Sequence, residues 1–268
     1  MSLRSALWLP LFDELSDPAT VVQLAVEAED AGWDGFFVWD HVNWNPPIRA
    51  VADPWVVLSA VAARTERLRL GPMVTPLPRR RPVKLARETA TLDQLSGGRL
   101  VLGVGLGSDR FGREFSATGD EVNDRVRAQQ LDESLAVLAG AWSGEEVRFE
   151  GEHYRVDGLT FEPTPVQRPR VPVWVAGFPG KRKPMERAVR WDGFFPVNLD
   201  HADQVAEILA ELKTFGAEEP FDVVVGLEPE VDPRPYEEAG ATWRLVDFDP
   251  EHVTVAEVRA VLRAGPGA

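Results

Sequence analysis

Short apolar runs alternate along the chain with stretches in which apolar residues recur three and four positions apart, from residue 6 to the last helical segment. A short continuous apolar run bounded by turn residues fits a strand buried on both faces, and the 3.6-residue period marks a helix with one face on a core. Residues 6–11 read as the first strand. Asp17-Pro18 supplies an N-cap acceptor and then a proline at the first helical position, and Val21, Leu24, Ala25 and Ala28 form one stripe behind it. Gly32 closes that helix, residues 35–39 form a second strand, and Asp53-Pro54 opens another helix that runs to about Arg64. The third strand is predicted over 68–75. A helix follows from Pro82 to just before Gly97-Gly98, and 100–104 is the fourth strand. Leu131, Leu135, Leu138 and Trp142 fall at helical spacing.

Residues 144–170, rich in glycine, proline and charge, break the alternation and read as an inserted hairpin and loop after the fourth helix. The pattern resumes with strands at 171–176, 193–197, 221–227 and 242–246 and helices near 185–190, 205–212 and 233–239. Thr254 with Glu257 makes a capping box for the last helix. Eight strands, each followed by a helix, specify one (β/α)8 barrel of parallel strands, and no linker or repeat divides residues 1–268.

Composition narrows the chemistry. The balance of 44% hydrophobic and 27% charged residues over 268 positions is that of a globular chain of barrel size. A formal charge of −14 argues against nucleic-acid binding, which needs a basic face. The absence of cysteine removes disulfides, thiolate metal sites and cysteine nucleophiles. The first twelve residues are too short to span a membrane and lack a small-residue cleavage site, so they read as the first strand, and a cytoplasmic location with no membrane partner is expected. His41, His153, His201 and His252 are far apart in sequence, and no metal is expected.

The active site of such a barrel is built at the carboxyl ends of its strands. After strand two comes Trp39-Asp40-His41-Val42-Asn43-Trp44, where His41 is the candidate proton carrier, Asp40 its candidate orienter and Trp44 a pocket wall. After strand three, Pro72, Met73 and Val74 lie in a proline-rich stretch that suggests a bulge or an unusual peptide geometry. Arg79-Arg80-Arg81 reads as a solvated loop with one arginine partly engaged. After strand four, Gly103, Gly105 and Gly107 alternate ahead of Ser108, and bare strand ends let a flat ring approach the backbone. After strand five, Ala176 and Gly177 precede Lys181-Arg182-Lys183, a combination of amides and cations that suits phosphate or a basic helix cap.

These segments together resemble the bacterial luciferase-like flavin monooxygenase family, which includes enzymes of FMN and of the deazaflavin coenzyme F420. The resemblance rests on residues 28–36, on Trp39-Asp40-His41, on the stretch 81–99 running into the glycines at 102–107, and on Glu114-Phe115, Arg125, Leu135 and Trp142. It implies a flavin-type ring over the barrel mouth, a non-prolyl cis peptide near Pro72-Met73-Val74 and a phosphate beside Ala176 and Gly177. It also implies His41 and Trp44 on the reacting face. The implied cofactor is F420 or FMN, with a separate flavin reductase as partner in the FMN case, a small organic substrate, and hydride transfer or monooxygenation as the reaction. Ser108 departs from the pattern of the deazaflavin sugar-phosphate dehydrogenases, which carry an acid there. A non-catalytic flavin-binding or partner subunit on the same scaffold is the alternative, and a homodimer stays open as its assembly.

Overall fold

The computed structural model describes residues 3–267. The chain begins with β1 (Arg4–Leu9), α1 (Pro18–Asp30), β2 (Gly35–Val38) and α2 (Pro54–Ala62). The third barrel strand comes in two pieces, β3 (Arg69–Pro72) and β4 (Thr75–Pro76), followed by α3 (Pro82–Leu95), β5 (Leu102–Gly105) and α4 (Asp124–Ser143). A hairpin of β6 (Glu146–Glu150) and β7 (Arg155–Thr160) intervenes before β8 (Val173–Gly177), α5 (Arg182–Ala188), β9 (Gly193–Pro196) and α6 (Asp203–Thr214). β10 (Asp222–Leu227), α7 (Arg234–Glu238), β11 (Trp243–Asp247) and α8 (Val255–Ala264) complete it.

The barrel strands pair in parallel in the order β3-β2-β1-β11-β10-β9-β8-β5-β4. A bridge between Leu70 of β3 and Leu100, just ahead of β5, brings the two ends of that order together and closes the ring. Closure needs close approach there: a Cβ on Gly71 would lie 1.8 Å from the Val101 carbonyl oxygen. The expected (β/α)8 barrel is therefore observed, with one amendment at strand three. Pairing with β2 ends at Pro72, the Met73–Val74 peptide is cis, and pairing resumes from Thr75 on β5. The irregularity expected at Pro72-Met73-Val74 is there.

Two apolar layers hold the fold. The larger lies between strands and helices and takes in the stripe Val21, Leu24, Ala25 and Ala28 of α1. The smaller fills the barrel with Phe37, Met73, Trp174, Phe195, Trp243 and their neighbours. Rings of Phe37, Trp174 and Trp243 meet at centroid distances of 5.3 to 6.0 Å, in the tilted and edge-on arrangements that aromatic quadrupoles favour.

Helix starts follow the capping residues read from sequence: Asp17 accepts from the Thr20 amide, and Asp53 from the amides of Trp55 and Val56. Of the capping box at α8, the Thr254 hydroxyl accepts from Glu257 N at 3.2 Å. The 144–170 excursion is the antiparallel hairpin β6–β7 and a loop. It leaves after α4 and rejoins before β8, at the amino ends of the strands. Glu133 of α4 holds the hairpin turn through the amides of Glu152, His153 and Tyr154, and Asp93 of α3 holds the loop through Val166 and Gln167. The insertion thus packs on the helical layer away from the carboxyl-end mouth.

Candidate active site

Strand two delivers Asp40 and His41 to the carboxyl-end mouth, and the two side chains find different partners. Asp40 is buried, and its carboxylate accepts from Arg79 Nη2 at 2.7 Å and from Arg80 Nη2 and Nε at 2.6 and 3.0 Å. Thr75 Oγ1 donates to the same carboxylate, and Trp55 Nε1 approaches it at 3.4 Å. Burial pushes this carboxyl up, but the charges of Arg80 and Arg79 and the Thr75 hydroxyl outweigh it and hold Asp40 below the usual range. Asp40 is therefore not the orienter of His41, because its oxygens are taken up by two guanidinium groups. The Arg79–Arg81 run is corrected with it: the Arg79 and Arg80 side chains are only 6% and 18% exposed and both pair with Asp40, so they are structural counterions of a buried acid.

The partner of His41 is Glu114. Its Oε2 lies 2.8 Å from His41 Nδ1, while Oε1 accepts from Val42 N at 2.6 Å and Arg79 Nη1 at 2.8 Å. Burial raises the Glu114 carboxyl, and the His41 hydrogen bond and charge, the Arg79 charge and the Val42 amide together bring it below its ordinary value. A carboxylate at Nδ1 favours the tautomer protonated at that nitrogen and leaves Nε2 outside the contact. Arg79 bridges both acids, so one chain of charge runs His41–Glu114–Arg79–Asp40–Arg80.

The loop after β5 delivers Glu114 by knitting onto the loop after β2. Asn45 N donates to Phe111 O at 2.6 Å and Asn43 Nδ2 to Gly112 O at 2.7 Å. Gly112 is required at this seam, since a Cβ there would lie 2.2 Å from the Asn43 carbonyl oxygen. Trp44 is buried, stacks on Phe111 at 4.9 Å and 8°, and meets the His41 ring edge-on at 4.8 Å. Phe12 and Trp39 complete an aromatic box around the imidazole.

The remaining sequence candidates separate by direction. Met73 points into the barrel core and its carbonyl accepts from Trp8 Nε1 at 2.6 Å. The Pro72 carbonyl lies against Gly103 inside the strand layer. Val74, Gly105 and Ala176 share one patch: a Cβ on Gly105 would meet Val74 at 2.9 Å and Ala176 at 3.8 Å. That patch is a shelf at the mouth without long side chains. Gly107 is left-handed, at φ +73°, and packs on Phe115 and Pro76, so backbone and packing both demand glycine. Ser108 is exposed and its hydroxyl accepts from Arg110 N, a turn contact. A side chain on Gly177 would run into Pro184 of α5 at 2.4 Å and Phe194 at 2.9 Å. Its bareness is thus explained by helix packing. Lys181 and Lys183 stand exposed beyond it, while Arg182 pairs with Glu186. Among the described residues no group of His, Asp and Glu side chains could hold a metal.

A closed parallel barrel with a histidine–carboxylate pair and a bare shelf at its carboxyl-end mouth defines a class of enzyme-like barrels. The comparison with known families is more particular: the chain belongs to the luciferase-like monooxygenase family, whose sequence pattern matches residues 8–253. An F420-dependent glucose-6-phosphate dehydrogenase of Kineococcus radiotolerans is 34% identical over 200 residues, covering 72% of this chain and 56% of its own length. One from Gordonia bronchialis is 31% identical over 251 residues, covering 89% and 72%. The chain thus spans little more than half the length of the first of these relatives. Among solved structures, a monooxygenase from Streptomyces bottropensis superposes with a TM-score of 0.78 over 97% of both chains at 19% identity. An F420-dependent secondary alcohol dehydrogenase does so at 0.73 over 99% of this chain and 85% of its own, also at 19% identity. Both structures show the same fold. No helix among the described residues is long and apolar enough to cross a membrane.

Proposed function

We propose that this chain is an oxidoreductase that binds a flavin-type cofactor at the barrel mouth and uses His41 as the proton-exchanging group for a small organic substrate. The observation that carries this reading is the His41–Glu114–Arg79–Asp40 chain set beside the Val74–Gly105–Ala176 shelf. The shelf fits a flat ring, because none of its three residues extends beyond a valine. Val74, Gly105 and Ala176 would lie under the ring, and Lys181 and Lys183 would face a phosphate near Ala176 and Gly177. The names of the curated relatives favour F420; with FMN a separate reductase would be the partner. When bound, such a cofactor supplies the hydride or activates oxygen. The protein's own contribution is to hold an imidazole with one fixed and one free nitrogen in an aromatic box. Asp40 serves this indirectly, by anchoring Arg79 against Glu114. A cytoplasmic location and a homodimer belong to the same proposal.

The test is His41→Ala in cofactor-loaded protein offered a panel of small alcohols and ketones. The expected result is turnover of the folded protein lowered about 10²-fold or more at unchanged cofactor affinity. Normal turnover would remove His41 from the reaction, and a fall in stability alone would make it a packing residue.

A further inference from the structure

The cofactor shelf occupies only one side of the mouth. Val74, Gly105 and Ala176 belong to the β4–β5–β8 side of the ring, whereas β10, β11 and β1 lie together on the other. Alternation along β11 decides what that other side presents. Trp243 and Leu245 belong to the cluster inside the barrel, so Asp247, two residues further and at the carboxyl end, points the same way. Its Cα partner on β1 is Trp8, whose ring lies across the floor of the mouth against Phe195 and Trp39.

Asp247 is poorly served by the protein around it. Its Oδ1 is buried with no hydrogen-bond partner among the described residues. Burial, with Glu228 at the end of β10 adding a like charge against one Phe248 amide, pushes the carboxyl up to about 7. Trp8 brings no charge from β1. Compare Asp40, equally a strand-end acid but satisfied by two arginines and a threonine. A buried acceptor left open costs stability, and one that faces a mouth is relieved by a ligand that donates to it.

We propose that Asp247 is a substrate-facing, specificity-determining residue that receives a protonated amine of the substrate and disfavours phosphate or carboxylate at that position. This rests on the oxidoreductase reading, with the cofactor on the opposite side of the mouth. A bound ammonium stabilises the carboxylate and so lowers its pKa, while a bound anion cannot.

The experiment uses cofactor-loaded protein carrying carboxyl-¹³C aspartate. Asp247→Asn, or Asp247→Ser if the first is unstable, assigns the signal that titrates near neutral pH. Saturating 1-amino-2-propanol is expected to lower that midpoint by about one unit, which by linkage is tenfold tighter binding to the ionised form. Lactate, of the same size and opposite charge, is expected not to lower it. An unmoved midpoint with the amine, or an equal fall with lactate, overturns the proposal. So does loss of cofactor affinity in the variant, which would place Asp247 on the cofactor's side. Failure of the wild-type protein to bind F420 or FMN overturns the oxidoreductase reading itself, and this proposal with it.

Discussion

Residue identity matters most in this molecule where one acid is fully partnered and another has one oxygen left open. Asp40 and Glu114 are held below their ordinary values in the fold, so their stabilisation is fully present above the unfolded pKa of about 4 and is lost as pH falls through the folded values. Asp40→Asn leaves two guanidinium groups in a buried site without their counterion. It is expected to cost about 3–5 kcal/mol, read as a lower denaturation midpoint at neutral pH, and to blunt the acid limb of the stability profile. Asp247 runs the other way. Its raised pKa means the folded state holds a proton that the unfolded chain releases, so this group costs stability as pH rises from about 4 to about 7. Asp247→Asn should therefore raise the melting temperature at about pH 8 and leave it nearly unchanged at about pH 4. A variant equally stabilised at both would show that the carboxyl is not isolated. The sequence located His41 at the mouth because strand-end position is legible. Its partner was not, because Glu114 lies in a loop whose return depends on the seam at Asn43 and Gly112. A basic run carries no mark of the acid that folds beside it, so the reading of a solvated loop with one arginine partly engaged fits Arg81 and falls short at Arg79 and Arg80, both paired with Asp40.

At the scale of elements, the glycines show how one residue type serves unlike purposes. On sequence alone Gly105 and Gly177 both stand at strand ends and both suit a cofactor. In the structure the absent side chain of Gly105 faces the shelf, and that of Gly177 faces Pro184 and Phe194. Gly105→Leu should abolish cofactor binding, and because even its Cβ meets Val74 at 2.9 Å some loss of melting temperature should accompany it, with the fold retained. Gly177→Val should lower the melting temperature by prising α5 from β8, and a variant with wild-type stability would contradict that packing. Strand boundaries were legible to within a residue or two where apolar runs were continuous, as in β2 and β10. The apolar pattern predicts strand three as one run over 68–75, and the structure divides it at Met73–Val74, where its pairing passes from β2 to β5. Apolar periodicity cannot report such a change of partner, although the prolines flanking it hinted at an irregular end.

The whole molecule is a barrel whose interior is filled by aromatic rings below and left with a mouth above. Trp174, Trp243 and Phe37 make the lower plug, and truncating one of them removes contacts that no neighbour can replace. Trp243→Ala is expected to cost about 3–5 kcal/mol in denaturant unfolding, with the cooperative transition retained. The 144–170 hairpin lies on the helical layer, so its substitution should alter stability without altering ligand affinity. The division of the mouth into a bare side and an acidic side emerges only at this scale, because β5, β8, β10 and β11 are distant in sequence and adjacent only in the closed ring. On the proposed function, the bare side formed by Val74, Gly105 and Ala176 is the flavin-type cofactor site. The most direct measurement is an absorbance titration of the purified protein with F420 and with FMN, run beside Gly105→Leu. Saturable binding of one cofactor by the wild-type protein, lost in the folded variant, is the predicted result. Binding of neither, or undiminished binding by the variant, would contradict the account.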